Sequence, residues 1–230
     1  MLKAYVFRAN TRPEDCKRYI EAHLNALRAY GVNDVSSIDP VWLNNPDVFI
    51  MMIEEKDTRL IVGGARIQFA HENIPLPIET AIGHIDPKIK DLIKERIPGK
   101  TGEFCGLWNL TQYAGYGIGS ITLGRMGVSL ITQVGLSSCF AFASITTTRN
   151  CFRIGFKPIV QLKNKGVFFY PNDHFKSNAL LIDDPEEVSH AAPEDRERIL
   201  SLRINPIQSY YETGPKGKIL VEYNMVVDGL

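Results

Sequence analysis

An α/β fold of the α+β kind is what this sequence predicts: a mixed, mostly antiparallel central sheet flanked by helices. Three observations carry that expectation. DVFIMMIEE and RLIVGGARIQFA are apolar, strand-like runs separated by a KDT turn, the pattern of an antiparallel hairpin. From residue 102 to 160 the order is strand, glycine-rich turn, helix, strand, helix, strand. The composition, 44% hydrophobic and 23% charged over 230 residues, is that of a globular chain with a substantial core. No repeat or low-complexity tract divides the chain, so residues 1–230 read as a single domain.

Each element has a local reason. AYVFRA alternates as a short strand. Thr11 and Glu14 have capping-box spacing, and Cys16, Ile20, Leu24 and Leu27 recur at helical intervals before Gly31, which can end the helix. Residues 32–46, rich in Asn, Asp, Ser and Pro, read as a loop. After the hairpin, residues 71–102 contain one expected helix, with Asp86 as N-cap, Pro87 in the first turn and Ile89, Leu92 and Ile93 on one face. GEFCGLWNL is the next strand, and a helix runs from the glycine turn to about Gly135. CFAFASI is a strand, TTTRNCFRI a short helix and GFKPIVQL a strand. GVFFYP and NALLID supply two more strands, PEDRERILSLR a polar helix and GKILVEYNMVV a last strand.

Charge and cysteine usage narrow the function. Lys+Arg and Asp+Glu balance at 26 each, which gives no overall attraction to nucleic acid or an acidic membrane. No apolar run approaches the roughly 18 residues of a membrane span. The four cysteines form no C-x-x-C pair and read as reduced thiols of a cytoplasmic protein. The N-terminus turns polar too soon for a signal peptide. The five histidines are scattered without ligand spacing, so no metal is expected.

The stretch AGYGIGS, residues 114–120, concentrates three glycines between a strand and a helix. Bare amides at a helix start can donate to phosphate oxygens, and the helix dipole favours the negative charge. A P-loop is excluded, because Gly119 is followed by Ser120 and Ile121 rather than Lys and Ser/Thr. A dinucleotide fingerprint is excluded by the G-x-G-x-G spacing and by the lack of an acidic residue near residues 137–142. Tight strand-to-helix packing is the other reason such glycines occur.

The motif LWNLTQYAGYGIGS, followed by a helix, a strand and RNCFRIGFKPI, resembles the GNAT superfamily of acyl-CoA-dependent N-acyltransferases. Residues 114–119 correspond to the family's [QR]-x-x-G-x-[GA] turn, with Ala114 where Gln or Arg is usual. Gly155 and Phe156 correspond to its later Gly-Phe pair. The resemblance is strongest over residues 103–160. It implies a sheet splayed near the glycine turn and acetyl-CoA or another acyl-CoA as co-substrate. The amides of Gly115, Tyr116, Gly117, Ile118, Gly119 and Ser120 would hold the pyrophosphate, and the strand backbone at Leu107 and Asn109 the pantetheine arm. It further implies Glu103 as general base. Cys151 stands at the position of the family's usual tyrosine acid.

Residues 71–102 form a helical insertion between two strands that ordinary members join by a short turn, and a C-terminal extension begins at about 184. Acyl-homoserine-lactone synthases, a branch of the family, have a comparable insertion, an Arg in the strand before it and E-x-x-R on the strand after it. Arg66 and Glu103 match two of these positions and make Arg66 a substrate-binding candidate. Gly106 replaces the signature arginine. The resemblance implies an N-acyltransferase acting on a small-molecule or peptide amine. Two other readings stand beside it: a synthase-like enzyme fed by acyl carrier protein, and a non-catalytic acyl-CoA-binding domain. A homodimer is compatible with each.

Overall fold

One continuous sheet of ten strands runs through the computed structural model, which describes residues 1–29, 31 and 35–227. In chain order its first elements are β1 (Leu2–Arg8), α1 (Pro13–Ala29), β2 (Val48–Glu55), β3 (Ile61–Phe69), α2 (Pro77–Ile82), α3 (Lys88–Lys94) and β4 (Thr101–Asn109). The centre comprises α4 (Thr111–Ala114), α5 (Ser120–Gln133), β5 (Ser138–Ser144), α6 (Ile145–Arg153), β6 (Lys157–Pro158), β7 (Val167–Phe169) and β8 (Lys176–Ile182). The C-terminal extension contributes α7 (Pro193–Ile204), β9 (Ile207–Gly214) and β10 (Gly217–Asn224). The strand order is β6-β8-β5-β4-β3-β2-β1-β10-β9, with β7 also on β8. Among the described residues only β4–β5 and β1–β10 are parallel pairs. The sheet is therefore mixed and mostly antiparallel, as expected. No helix among the described residues is long and apolar enough to cross a membrane.

Both faces of the sheet are covered, which explains the unbroken apolar run of β2. Phe49, Met51 and Ile53 enter the main core beneath α5, α6 and α7, while Ile50 and Met52 meet α1 on the other face. A third apolar cluster packs α2 and α3 against Phe140 and Phe168. The insertion thus holds two helices where one was expected. Helix α2 was missed because its six residues are too few to display a helical period.

Three other local expectations are corrected. The hydroxyl of Thr11 donates back to the Arg8 carbonyl (2.8 Å), closing a turn before α1 rather than capping the helix. The buried positions of α1 are Cys16, Tyr19, His23 and Ala26, so the inner face carries a histidine and a tyrosine. GFKPIVQL forms only the two-residue β6, since Pro158 has no amide to extend a ladder. Gly31, by contrast, ends α1 at φ +69° as its position suggests.

The C-terminal extension is bound to α5 by buried charge. Asp195 of α7, with no exposed surface, accepts from Arg125 Nε of α5 and Arg153 Nε of α6, each at 2.7 Å. Arg125 also reaches Glu212 of β9 at 3.3 Å, and Tyr223 of β10 donates to the same carboxylate at 2.7 Å. Carboxylates on two sides make this buried guanidinium tolerable.

Candidate acyl-CoA site

The sheet opens between β4 and β5. Their parallel pairing covers Thr101–Phe104 against Ser138–Ala141 and stops there. β4 continues to Asn109 on β3, and β5 continues to Ser144 on β8, so the two strands part. A bulge in β4 sits at the point of opening. Gly64 and Arg66 face Trp108 and Cys105, which leaves Gly106 and Leu107 to share Ala65 as their opposite number. Gly106 adopts φ +59°, and a Cβ there would lie 2.5 Å from Tyr19 Oη, so only glycine fits. The Tyr19 hydroxyl donates to the Gly106 carbonyl (2.6 Å), holding the bulge to α1.

At the mouth of the opening lies the start of α5. Four of the amides expected to face a ligand are instead used internally. Gly115 and Tyr116 donate to the Tyr113 carbonyl, Gly117 to Ala114 (3.1 Å) and Ile118 to Tyr113 (3.3 Å). The amides of Gly119, Ser120, Ile121 and Thr122 have no acceptor among the described residues. Gly119 is buried, and no side chain caps the helix. A helix end left bare in this way requires solvent or a ligand. The free cradle is thus residues 119–122, displaced toward the helix from the expected 115–120.

The displacement has a physical cause. The β9–β10 hairpin docks on the first half of the turn. A Cβ on Gly117, at φ +83°, would come within 2.5 Å of the Thr213 carbonyl oxygen, and one on Gly115 within 2.6 Å of Lys216 Cδ. Gly115 also accepts from the Lys216 amide at 2.8 Å. The first two glycines therefore serve close packing, and Gly119 and Ser120 remain at the opening. Half-buried Asn109 lies beside Gly119, 3.6 Å from where a Cβ would stand, and Asn150 donates to Ser120 Oγ at 2.7 Å. Half-buried Leu107 packs against the main core.

Glu103 lies below the opening, in the paired part of β4 and 2% exposed. Its carboxylate accepts from the Ile78 amide of α2 at 2.8 Å. Burial raises its pKa to about 8, against the opposing pull of that amide and of Arg66. Arg66 is on the same face, 1% exposed, with its guanidinium over the Trp42 ring and Nη1 donating to the Ser37 carbonyl (2.7 Å). Cys151 is not a member of this group. It packs in the main core, 6% exposed, and burial pushes its thiol up to about 12.

Comparison with solved structures finds the same fold in other proteins. FeeM, an N-acyl amino acid synthase from uncultured soil microbes, aligns with a TM-score of 0.61 at 13% identity, covering 83% of this chain and 95% of FeeM. TofI, solved in a ternary complex with an inhibitor and MTA, gives 0.57 at 11% identity over 85% and 96%. An acyl-CoA N-acyltransferase from Pseudomonas aeruginosa gives 0.55 at 10% identity over 79% and 99%. The chain has the GNAT fold. No family model and no curated protein matches the sequence.

Several residues around the opening of this GNAT sheet were not singled out by the sequence. His23 stacks on Trp108 at 11° between planes, and burial, then Arg66, lowers its pKa to about 4. Tyr19 bonds to the bulge on the α1 side, Gln68 is buried on β3, and Asn150 meets Ser120 at the start of α5. The one available signal was the spacing of Cys16, Tyr19, His23 and Ala26, which is as helical as the apolar set but crosses residue classes.

Proposed function

We propose that the protein is an N-acyltransferase that moves an acyl group from acyl-CoA to a small-molecule or peptide amine. The observation that carries the reading is the parting of β4 from β5 directly beside four unsatisfied amides. In this reading the amides of Gly119, Ser120, Ile121 and Thr122 hold the pyrophosphate. The pantetheine arm lies in the opening, where the β4 backbone at Leu107 and Asn109 has no β5 partner. Coenzyme A is the favoured carrier over acyl carrier protein because a helix start takes a diphosphate directly. The acyl-CoA N-acyltransferase from Pseudomonas aeruginosa shares the fold.

The chemistry follows from the two faces. The amine approaches on the α1 face, beside Arg66. Its nitrogen attacks the thioester carbonyl carbon, the C–N bond forms, and the C–S bond breaks with its electron pair on sulfur. The nitrogen's proton passes through a water to Glu103 in its ionised form. The coenzyme A thiolate takes its proton from water, since Cys151 lies in the core. For a lysine-like amine, deprotonation at pH 7 costs roughly 4–5 kcal/mol, and a carboxylate with a raised pKa offsets part of it.

The test removes one amide of the cradle together with the Ser120 hydroxyl that accepts from Asn150, so Ser120→Ala, which loses only the hydroxyl, is its control. Ser120 is the first residue of α5 and Gly119 before it is extended at φ 174°, a position where proline is accommodated. Coenzyme A and acetyl-CoA are expected to raise the Tm of the wild-type protein. Ser120→Pro should weaken coenzyme A about tenfold or more, as expected for one charge-assisted bond, with unliganded Tm nearly unchanged. Equal affinity in the variant and the wild type would sink the assignment of the cradle.

A further inference from the structure

The two ends of the sheet are finished differently. At one end β8 is flanked by β6, only Lys157 and Pro158, and by the three-residue β7. Very short strands, proline and lysine are devices that keep a sheet edge from pairing with another chain. At the other end lies β9, eight residues long and paired with β10 in unbroken register from Ile207 to Gly214. Among the described residues no strand pairs with its outer side, and it contains neither a proline nor a bulge. Every second residue of such a strand turns its amide and carbonyl outward, in want of partners.

The side chains of β9 do not protect this edge. Gln208, Tyr210 and Glu212 point to the side of α5 and α7, where Arg198 meets the first two and Arg125 reaches the third. Ile207, Ser209, Tyr211 and Thr213 face the opposite side of the sheet. Ile207 is 70% exposed, Tyr211 52% and Tyr210 40%. No Lys, Arg, Asp or Glu occurs from Ile204 to Tyr211. The two charges of the neighbouring β10, Lys218 and Glu222, are of opposite sign. The edge is thus apolar and neutral, and one copy does not repel another.

A second copy fits this edge by symmetry. An antiparallel ladder opposes only residues that face alike, so a two-fold axis between two β9 strands passes through a residue. With the axis at Ser209, Ile207 lies opposite the partner's Tyr211 and Tyr211 opposite the partner's Ile207. Aromatic and β-branched side chains are a favourable cross-strand pair. Gln208 then lies opposite the partner's Tyr210, and Pro206, with no amide, ends the ladder.

We propose that two copies of this chain pair through β9 about an axis at Ser209 and form one continuous sheet. The contact uses both open edges at once. Only the blunted β6 and β7 ends remain, so assembly stops at two. Five pairs of β9 residues, about 17 Å of strand, make a small interface, so the dimer forms reversibly at micromolar chain. The proposal is independent of the acyl-transfer reading.

The test is sedimentation velocity over a range of concentrations. The wild-type protein should show a monomer–dimer equilibrium. Tyr211→Lys and Ile207→Glu should each raise the dissociation constant about tenfold or more, because each removes an apolar contact twice. Mixing the two variants should restore association, since the mixed dimer keeps one native pair and makes the other a pair of opposite charges. A covalent readout fixes the register. Across the axis Ser209 and the partner's Ser209 have Cα atoms about 4.5–5.5 Å apart, within reach of a disulfide. Ser209→Cys should therefore cross-link under mild oxidation. Thr213→Cys, about 27 Å from the partner's Thr213, should not, and the four native cysteines are buried. Both cysteine positions are exposed, so this pair decides the matter even where a charged variant fails to fold. A wild-type chain that stays monomeric up to its solubility limit overturns the proposal, including one whose β9 edge takes an added extended peptide instead. So does a dissociation constant unchanged by Tyr211→Lys, cross-linking of Thr213→Cys as readily as Ser209→Cys, or growth beyond a dimer.

Discussion

At the scale of single residues, Glu103 joins stability to chemistry. Its carboxyl is buried on the sheet and holds a proton up to about pH 8, because ionisation inside the protein costs more than in water. The unfolded chain releases that proton near the ordinary value of 4.5. Between these values the native state carries a proton that the unfolded state lacks, so this group's contribution to stability is full below pH 4.5 and is lost as pH rises to about 8. Glu103→Gln keeps an oxygen for the Ile78 amide and cannot ionise. Urea unfolding of wild type and variant from pH 5 to pH 8.5 should therefore diverge, with the variant relatively more stable at the alkaline end and the difference flat above pH 8. On the base role proposed for Glu103, activity should respond in the opposite sense, with kcat/KM reduced about 100-fold or more. A stability difference that does not change with pH would mean that the carboxylate ionises normally where it stands. Glu103 was readable from the chain as a carboxylate at the start of a strand. Its burial was not, because the α2 amide that meets it comes from a helix the sequence did not reveal. The burial of Cys151 was hidden for a similar reason: a motif position fixes where a residue falls along the helix, and packing decides how deep it lies.

At the scale of elements, most strands and the longer helices were legible because their patterns are local. The β2–β3 hairpin, β4 and α5 lie where the apolar runs and turn residues put them. What escaped was set by tertiary contact: α2 and α4 are too short to show a period, and β9, with Ile207 and Tyr211 exposed, is a strand by virtue of pairing with β10. That hairpin also explains half of the glycine turn, which looked from the sequence like a ligand cradle throughout. A pair of substitutions separates backbone strain from docking. Gly117 and Gly135 have nearly the same φ, +83° and +80°, but a Cβ meets Thr213 at the first and open space at the second. Gly135→Ala should cost about 1 kcal/mol, the strain of a left-handed residue. Gly117→Ala should exceed it by about 1–3 kcal/mol in denaturant unfolding, because the hairpin must shift. It should also weaken coenzyme A by moving the start of α5. Equal costs at the two positions would show that the hairpin does not bear on the turn.

At the scale of the whole molecule, the C-terminal extension is built into the sheet rather than added to it. β10 pairs in parallel with β1, so its removal would expose the edge of a strand that is interior in the intact protein. Ile199, Leu202, Val221, Tyr223, Met225 and Val227 belong to the same core as α5. At about 1.5–3 kcal/mol for each buried side chain, their loss is on the order of 10 kcal/mol, comparable with the whole stability of a domain, about 5–15 kcal/mol. The same cut removes Asp195 and Glu212 and leaves Arg125 in the interior with neither partner, a lesion costing about 3–5 kcal/mol for a single broken pair. A chain ending at residue 183, the boundary the composition suggested, should therefore show no cooperative thermal transition and no near-ultraviolet dichroism. A cooperative transition in that shortened chain, with a Tm still raised by coenzyme A, would mean that the opening between β4 and β5 is held by residues 1–183 alone and that the hairpin only covers the turn.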